Sequence, residues 1–144
     1  MRLSQFADFG LRALMYLGVH EGERVTTEDL AEAYGISKFH LQKVVRRLKD
    51  AGLVALHRGR SGGLELALAP GEVSIGRALR ALDQDSTLVE CFDPDSNSCV
   101  ISPTCALKGP LASAQEAFYA ELDSLMLADL LHRRSAALKR HWSG

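Results

Sequence analysis

Thr26 to Asp50 reads T-T-E-D-L-A-E-A-Y-G-I-S-K-F-H-L-Q-K-V-V-R-R-L-K-D, and the fold turns on this stretch. Thr26 and Asp29 stand in capping-box spacing, so a helix starts at Thr26 or Thr27 and carries Leu30, Ala31 and Ala33. Tyr34-Gly35 stops it, and Ser37 caps a second helix running from Lys38 to Asp50. In that helix Leu41, Val44, Val45 and Leu48 fall at i, i+3, i+4 and i+7, which predicts one buried face. Two helices joined by a glycine turn predict a helix-turn-helix.

At 100° per residue the opposite face centres on Phe39, Lys43 and Arg46, flanked by His40, Gln42 and Arg47. An aromatic ring among outward-facing cations suits a major groove, where the ring meets thymine methyls and the cations meet phosphates or guanine edges. The alternative is a solvated helix face, the commoner fate of a charge run. Seven basic residues between Ser37 and Arg60, against Asp50 alone, favour double-stranded DNA. The candidate DNA contacts here are Ser37, Lys38, Phe39, His40, Gln42, Lys43 and Arg46.

Downstream, two β segments are predicted over Leu53–Leu56 and Leu64–Leu68, with H-R-G-R-S-G-G between them. A hairpin with exposed Arg58 and Arg60 at a glycine-rich tip, directly after a helix-turn-helix, reads as a wing suited to a minor groove or the DNA backbone. An ordinary hairpin with solubilising charges is the alternative. Upstream, residues 4–20 read as a helix that is apolar almost all round. Its one polar stripe is Gln5, Asp8 and Arg12. So little polar surface predicts cover on more than one side, and a partner subunit is the expected source.

Pro70-Gly71 breaks the chain, and Ser74 caps a helix with Ile75, Leu79 and Leu82 on one face. Then comes C-F-D-P-D-S-N-S-C-V-I-S-P-T-C, Cys91 to Cys105, holding all three cysteines spaced C-x7-C-x5-C among turn-forming residues. An odd count argues against a disulfide framework, and a closed zinc site wants four ligands at closer spacing. An iron–sulfur cluster tolerates wide spacing and one non-cysteine ligand. A redox thiol switch and inert packing remain as alternatives. A longer helix opening near Pro110 presents Leu111, Ala114, Phe118 and Leu122 as a stripe, which predicts a homodimer through the same helix of a second subunit. Packing back on its own chain is the other reading. Ser124–Leu131 looks like a short helix, and the chain from His132 onward a loosely held tail.

Net charge hides an asymmetry: residues 1–69 carry 10 Lys/Arg against 8 Asp/Glu, and residues 70–144 carry 7 against 10. No apolar run is long enough for a membrane span, and the first residues lack a signal-peptide core, so a cytoplasmic protein is expected. No nucleophile–base pair or phosphate-binding loop points to an enzyme. The organisation expected is mainly α with a small β-hairpin wing. It comprises a winged helix-turn-helix domain over 1–70, a linking helix and cysteine loop over 71–109, and a long C-terminal dimerisation helix and tail over 110–144.

The opening M-R-L-S-Q-F-A-D-F-G-L-R-A-L, the wing R-G-R-S-G-G, L-V-E-C, C-V-I-S-P-T-C-A-L-K and L-A-D-L-L together resemble the iron–sulfur winged-helix transcriptional repressors, the NsrR/IscR/RirA family, and most of all its nitric-oxide-sensing branch. The cluster-assembly branch has C-x5-C-x5-C with a nearby histidine, which this chain lacks. The iron-sensing branch shares the present spacing. The resemblance implies a dimeric repressor with a [4Fe-4S] cluster (a [2Fe-2S] cluster being the alternative) held by Cys91, Cys99 and Cys105. It implies a fourth, carboxylate ligand at Asp8 from the other subunit, and release of operator DNA when nitric oxide attacks the cluster. On the residues alone, Asp8 reads equally well as an ion-pair partner of Arg12, and Asp93 and Asp95 are weaker ligand candidates. An iron- or redox-responsive repressor and a cluster-free thiol switch are the alternative functions.

Overall fold

The computed structural model describes residues 3–132 and 134–143. Met1, Arg2, Arg133 and Gly144, which belong to the expected DNA-binding domain and tail, lie outside the described residues. Helix α1 (Gln5–Val19) begins at Ser4, whose hydroxyl oxygen accepts from the Ala7 amide at 3.1 Å and whose proton goes to Asp83 Oδ1 at 2.8 Å. Helix α2 (Thr27–Tyr34) opens with the expected capping box: Thr26 Oγ1 accepts from the Asp29 amide at 3.1 Å, and Asp29 Oδ2 accepts from the Thr26 amide at 2.7 Å. Gly35 ends it at φ 63°, a left-handed conformation that side chains resist. Ser37 then caps helix α3 (Lys38–Asp50), accepting from the His40 amide at 3.3 Å.

The hairpin pairs β1 (Val54–His57) with β2 (Gly63–Leu66), antiparallel, Val54 opposite Leu66 and His57 opposite Gly63. Each strand is shorter than its predicted segment, or shifted by a residue. Val25 adds a bridge on the far side of β2, where the Leu64 amide donates to the Val25 carbonyl at 2.6 Å. The wing is thereby sewn to the residue just before α2.

Helix α4 (Ile75–Leu82) packs beside α1, and the absence of a Cβ at Gly10 is what admits Leu82 there. Helix α5 (Lys108–Asp123) starts two residues before Pro110. Helix α6 (Leu127–Leu131) is shorter than the expected Ser124–Leu131, because residues 125–127 run alongside residues 73–75. Ile75 donates to the Leu125 carbonyl at 2.9 Å and Leu127 to the Val73 carbonyl at 2.8 Å. Residues 135–143 are not a loose tail. They form helix α7 (Ser135–Ser143), whose Trp142 packs 4.8 Å from the Tyr16 ring and 5.6 Å from Tyr34, while Lys139 Nζ holds Glu23 at 2.9 Å. Polar composition concealed this helix; the Trp142 indole and Leu138 anchor it to the core.

One apolar core joins Leu14 and Leu17 of α1, Leu30, Leu41, Val44 and Leu48 of the helix-turn-helix, Leu79 and Leu82 of α4, and Leu127 and Leu131 of α6. The nearly all-apolar α1 is therefore covered by the chain itself, from α3, α4, α6 and α7. Phe6, Phe9, Leu11, Met15 and Tyr16 of α1 remain only partly buried, so its own chain does not cover the helix completely. Among the described residues no helix is long and apolar enough to cross a membrane.

Candidate nucleic-acid interface and cysteine loop

Burial of Leu41, Val44, Val45 and Leu48 fixes which way α3 faces. Ser37, Lys38, Phe39, His40, Gln42, Lys43 and Arg46 are all exposed on the other side. Phe39 is 63% exposed, and the Lys43 ammonium sits 4.4 Å from its ring centroid, a cation–π pair that presents ring and charge together. Lys38 pairs with Glu28 on α2, and that hydrogen bond holds the Glu28 carboxyl below its ordinary pKa. Arg47 departs from this face. Its guanidinium donates to the Ala81 carbonyl at 3.3 Å and to Gln84 Oε1 at 3.2 Å, pairs with Asp85 at 2.9 Å, and lies 5.7 Å from the Phe6 ring. It is a strut from α3 to the end of α4.

At the wing, Arg58 and Arg60 are exposed, and His57 meets Glu65 across the strands at 2.6 Å. The structure adds Arg24, whose guanidinium donates to the Arg60 carbonyl at 3.2 Å. Nothing in E-R-V marks Arg24 in the sequence; only the bridge between Val25 and Leu64 brings it to the hairpin tip.

The loop between α4 and α5 carries two single 3-10 turns, Glu90–Phe92 and Ser102–Thr104. Asp93 organises its middle: Oδ1 accepts from the Asp95 amide at 3.0 Å and Oδ2 from the Ser96 hydroxyl at 2.6 Å. These bonds, the Ser96 one foremost, keep its carboxyl below the usual range. Both Asp93 oxygens are thus engaged in the loop's own turn. Asn97 Oδ1 accepts from the Cys99 amide at 3.1 Å. Cys91, Cys99 and Cys105 are unpaired and half-buried. Among the described residues no three His, Cys, Asp or Glu side chains are grouped so as to hold a metal ion, so one subunit neither gathers the three thiols into such a group nor brings Asp8 to them. Asp8 instead pairs with Arg12 at 2.7 Å, both side chains nearly half exposed. An exposed i,i+4 pair of this kind stabilises by only ~0.3–0.5 kcal/mol, little enough for a stronger partner to overcome.

The donor set fits an iron–sulfur group in kind: three thiols on one polar loop, outside the apolar core and partly open to solvent. The loop leads into α5, which Arg80 clamps to α4. Arg80 contacts Glu116 at 2.6 and 3.0 Å and Asp123 at 3.1 Å, with its guanidinium 4.5 Å from the Tyr119 ring. The clamp lowers the Glu116 carboxyl pKa and raises that of Arg80.

The family model for Rrf2, described as an iron-dependent transcriptional regulator, matches residues 3–133. The chain belongs to the Rrf2 family. This Rrf2 protein is 41% identical over 140 residues to the HTH-type transcriptional regulator NsrR of Bacillus subtilis (strain 168), covering 96% of each chain. Among solved structures it resembles T. potens IscR, with TM-score 0.74, 27% identity and coverage of 95% of this chain and 90% of that one. It is also similar to CymR, the global cysteine regulator of B. subtilis, with TM-score 0.70, 26% identity and coverage of 92% of this chain and 98% of that one. The Rrf2 chain is a winged-helix transcriptional regulator of DNA, not an enzyme.

Proposed function

We propose that this regulator is a cytoplasmic homodimeric repressor whose grip on operator DNA depends on a [4Fe-4S] cluster and is released by nitric oxide. Cys91, Cys99 and Cys105 would hold the cluster with Asp8 of the partner subunit. The observation that carries this reading is the set of three unpaired, partly exposed cysteines on one polar loop. Its setting, a chain 41% identical to a regulator named NsrR, supports the choice of signal. When bound, such a cluster supplies an iron whose hard, exchangeable carboxylate ligand is the natural point of entry for a small diatomic molecule. The protein's own part is mechanical. Asp8 would exchange Arg12 for the cluster, which would tie the partner's loop to α1, and α1 carries α3 through the shared core. Two recognition helices are then held about 34–36 Å apart, one duplex turn, with Arg58, Arg60 and Arg24 reaching the adjacent backbone or minor groove. A coupling of ~2–3 kcal/mol changes operator occupancy roughly 30- to 150-fold.

Anaerobic purification, an absorbance spectrum and operator binding with stoichiometric nitric oxide test this together. The expected result is a coloured dimer that loses its operator on nitric oxide addition, and a colourless Cys99→Ala variant. A metal-free dimer that binds its operator at full strength overturns the proposal. The family's iron-dependent description favours a second reading, an iron-responsive repressor of RirA type. Release by chelation with indifference to nitric oxide would select it.

A further inference from the structure

Immediately after Cys99, Val100 is 93% exposed and Ile101 58% exposed. Single exposed aliphatic residues are ordinary. Two in succession, at a tip otherwise built from Asp, Ser, Asn and Pro and braced by side-chain turns, leave apolar surface displayed on a shaped loop. Between α1 and α3 lies a groove of about 200 Å³ lined by Gln5, Phe6, Phe9, His40, Lys43 and Val44. Small-molecule sites run to roughly 300–1,000 Å³, so this groove is sized for one or two side chains. Its wall is aromatic and aliphatic, and its rim carries Lys43 and His40. The segment Cys91–Cys105 is complementary in charge, with Asp93 and Asp95 and no Lys or Arg. Within one subunit the tip does not occupy the groove, since Val100 stands almost wholly in solvent.

Sequence adjacency points to the occupant. Phe9 follows Asp8, and Val100 follows Cys99. A dimer in which Asp8 reaches the partner's cysteines would bring the partner's Val100–Ile101 tip to the same end of α1, where Phe6 and Phe9 line the groove. We infer that the Val100–Ile101 tip of one subunit seats in the α1–α3 groove of the other, so that the state of the cysteine loop is felt by the recognition helix through His40, Lys43 and Val44. The inference rests on the bridging role given above to Asp8. Two aliphatic side chains bury too little to hold a dimer together; their effect is on coupling.

Mixed dimers of ¹⁵N-labelled and unlabelled protein, purified anaerobically with a photoreactive benzoylphenylalanine at Ile101, test it directly. The expected product is a cross-link between differently labelled chains at residues 5–9 or 40–44. Cross-links confined to one label, or to other residues, overturn the docking. Absorbance read on the same sample separates the two ideas. A coloured dimer without the cross-link sinks the docking alone. A colourless dimer with it sinks the cluster and leaves the docking standing, and a colourless dimer without it sinks both. A Val100→Ser, Ile101→Ser double variant should keep the cluster and lose about tenfold in operator affinity in the loaded form. Unchanged affinity with the colour retained removes the coupling.

Discussion

Helices α3 and α5 invite comparison. The first, 13 residues long, buries Leu41, Val44, Val45 and Leu48; the second, 16 residues long and with more apolar residues to offer, buries none. The difference is one of completion. The chain's own α1, α2 and α4 close over the inward face of α3, leaving a defined outward face for another molecule. Helix α5 lies mainly against α4, held by the Arg80 clamp and by Phe118, Tyr119 and Leu122, which are only partly buried against the core, and beside it Leu107 is 59% exposed. A helix half-dressed by its own chain is what a second copy would finish.

The largest effect should come from the finished helix. Leu48 is fully buried, so Leu48→Ala should cost about 2–5 kcal/mol in urea unfolding. A loss under 1 kcal/mol would mean that α3 is no better anchored than α5. Leu111→Asp on α5 should leave the unfolding midpoint of the protomer nearly unchanged while converting dimer to monomer in light scattering. A dimer that survives places the interface elsewhere. Thr26→Ala removes the capping box of α2 and should cost ~1 kcal/mol, with the operator contacts themselves untouched. Arg58→Ala should weaken operator binding modestly and reduce the salt slope by about one, with colour intact.

The smallest effect concerns the edge, α7. Lys139's hydrogen bond keeps Glu23 below its ordinary pKa, so this contact is fully present above the unfolded value of about 4.3. It fades as pH falls through the lower folded value. Trp142, the one tryptophan, should report α7 loosening as a red-shifted emission once the pH falls below about 4.3, before the core unfolds. Simultaneous loss of both signals would make α7 part of the core.

The helix-turn-helix, its caps and its outward cations were legible because each rests on short-range rules: a capping residue, a glycine at positive φ, a four-residue apolar repeat. The wing was legible for the same reason. Its third arginine was not, since Arg24 reaches the tip only through pairing between Val25 and Leu64, residues far apart in the chain. Helix α7 was missed because its stripe is weak and its anchor, Trp142 against Tyr16 and Tyr34, is a contact across more than a hundred residues. The three cysteines could be read as a set of donors, but their arrangement could not.

By itself, then, the amino-acid order determined the reading head: which helix faces outward, with which charges, and which loop carries the sulfurs. Those are properties of neighbours along the chain. Only the tertiary structure decided that α1 packs on α6 and α7 of its own chain, that Arg47 is a strut from α3 to the end of α4, and that Asp8 pairs with Arg12 within one subunit. The reason is physical. A side chain's partner is chosen by whichever group folding brings within a few ångströms, and local periodicity carries no information about that choice.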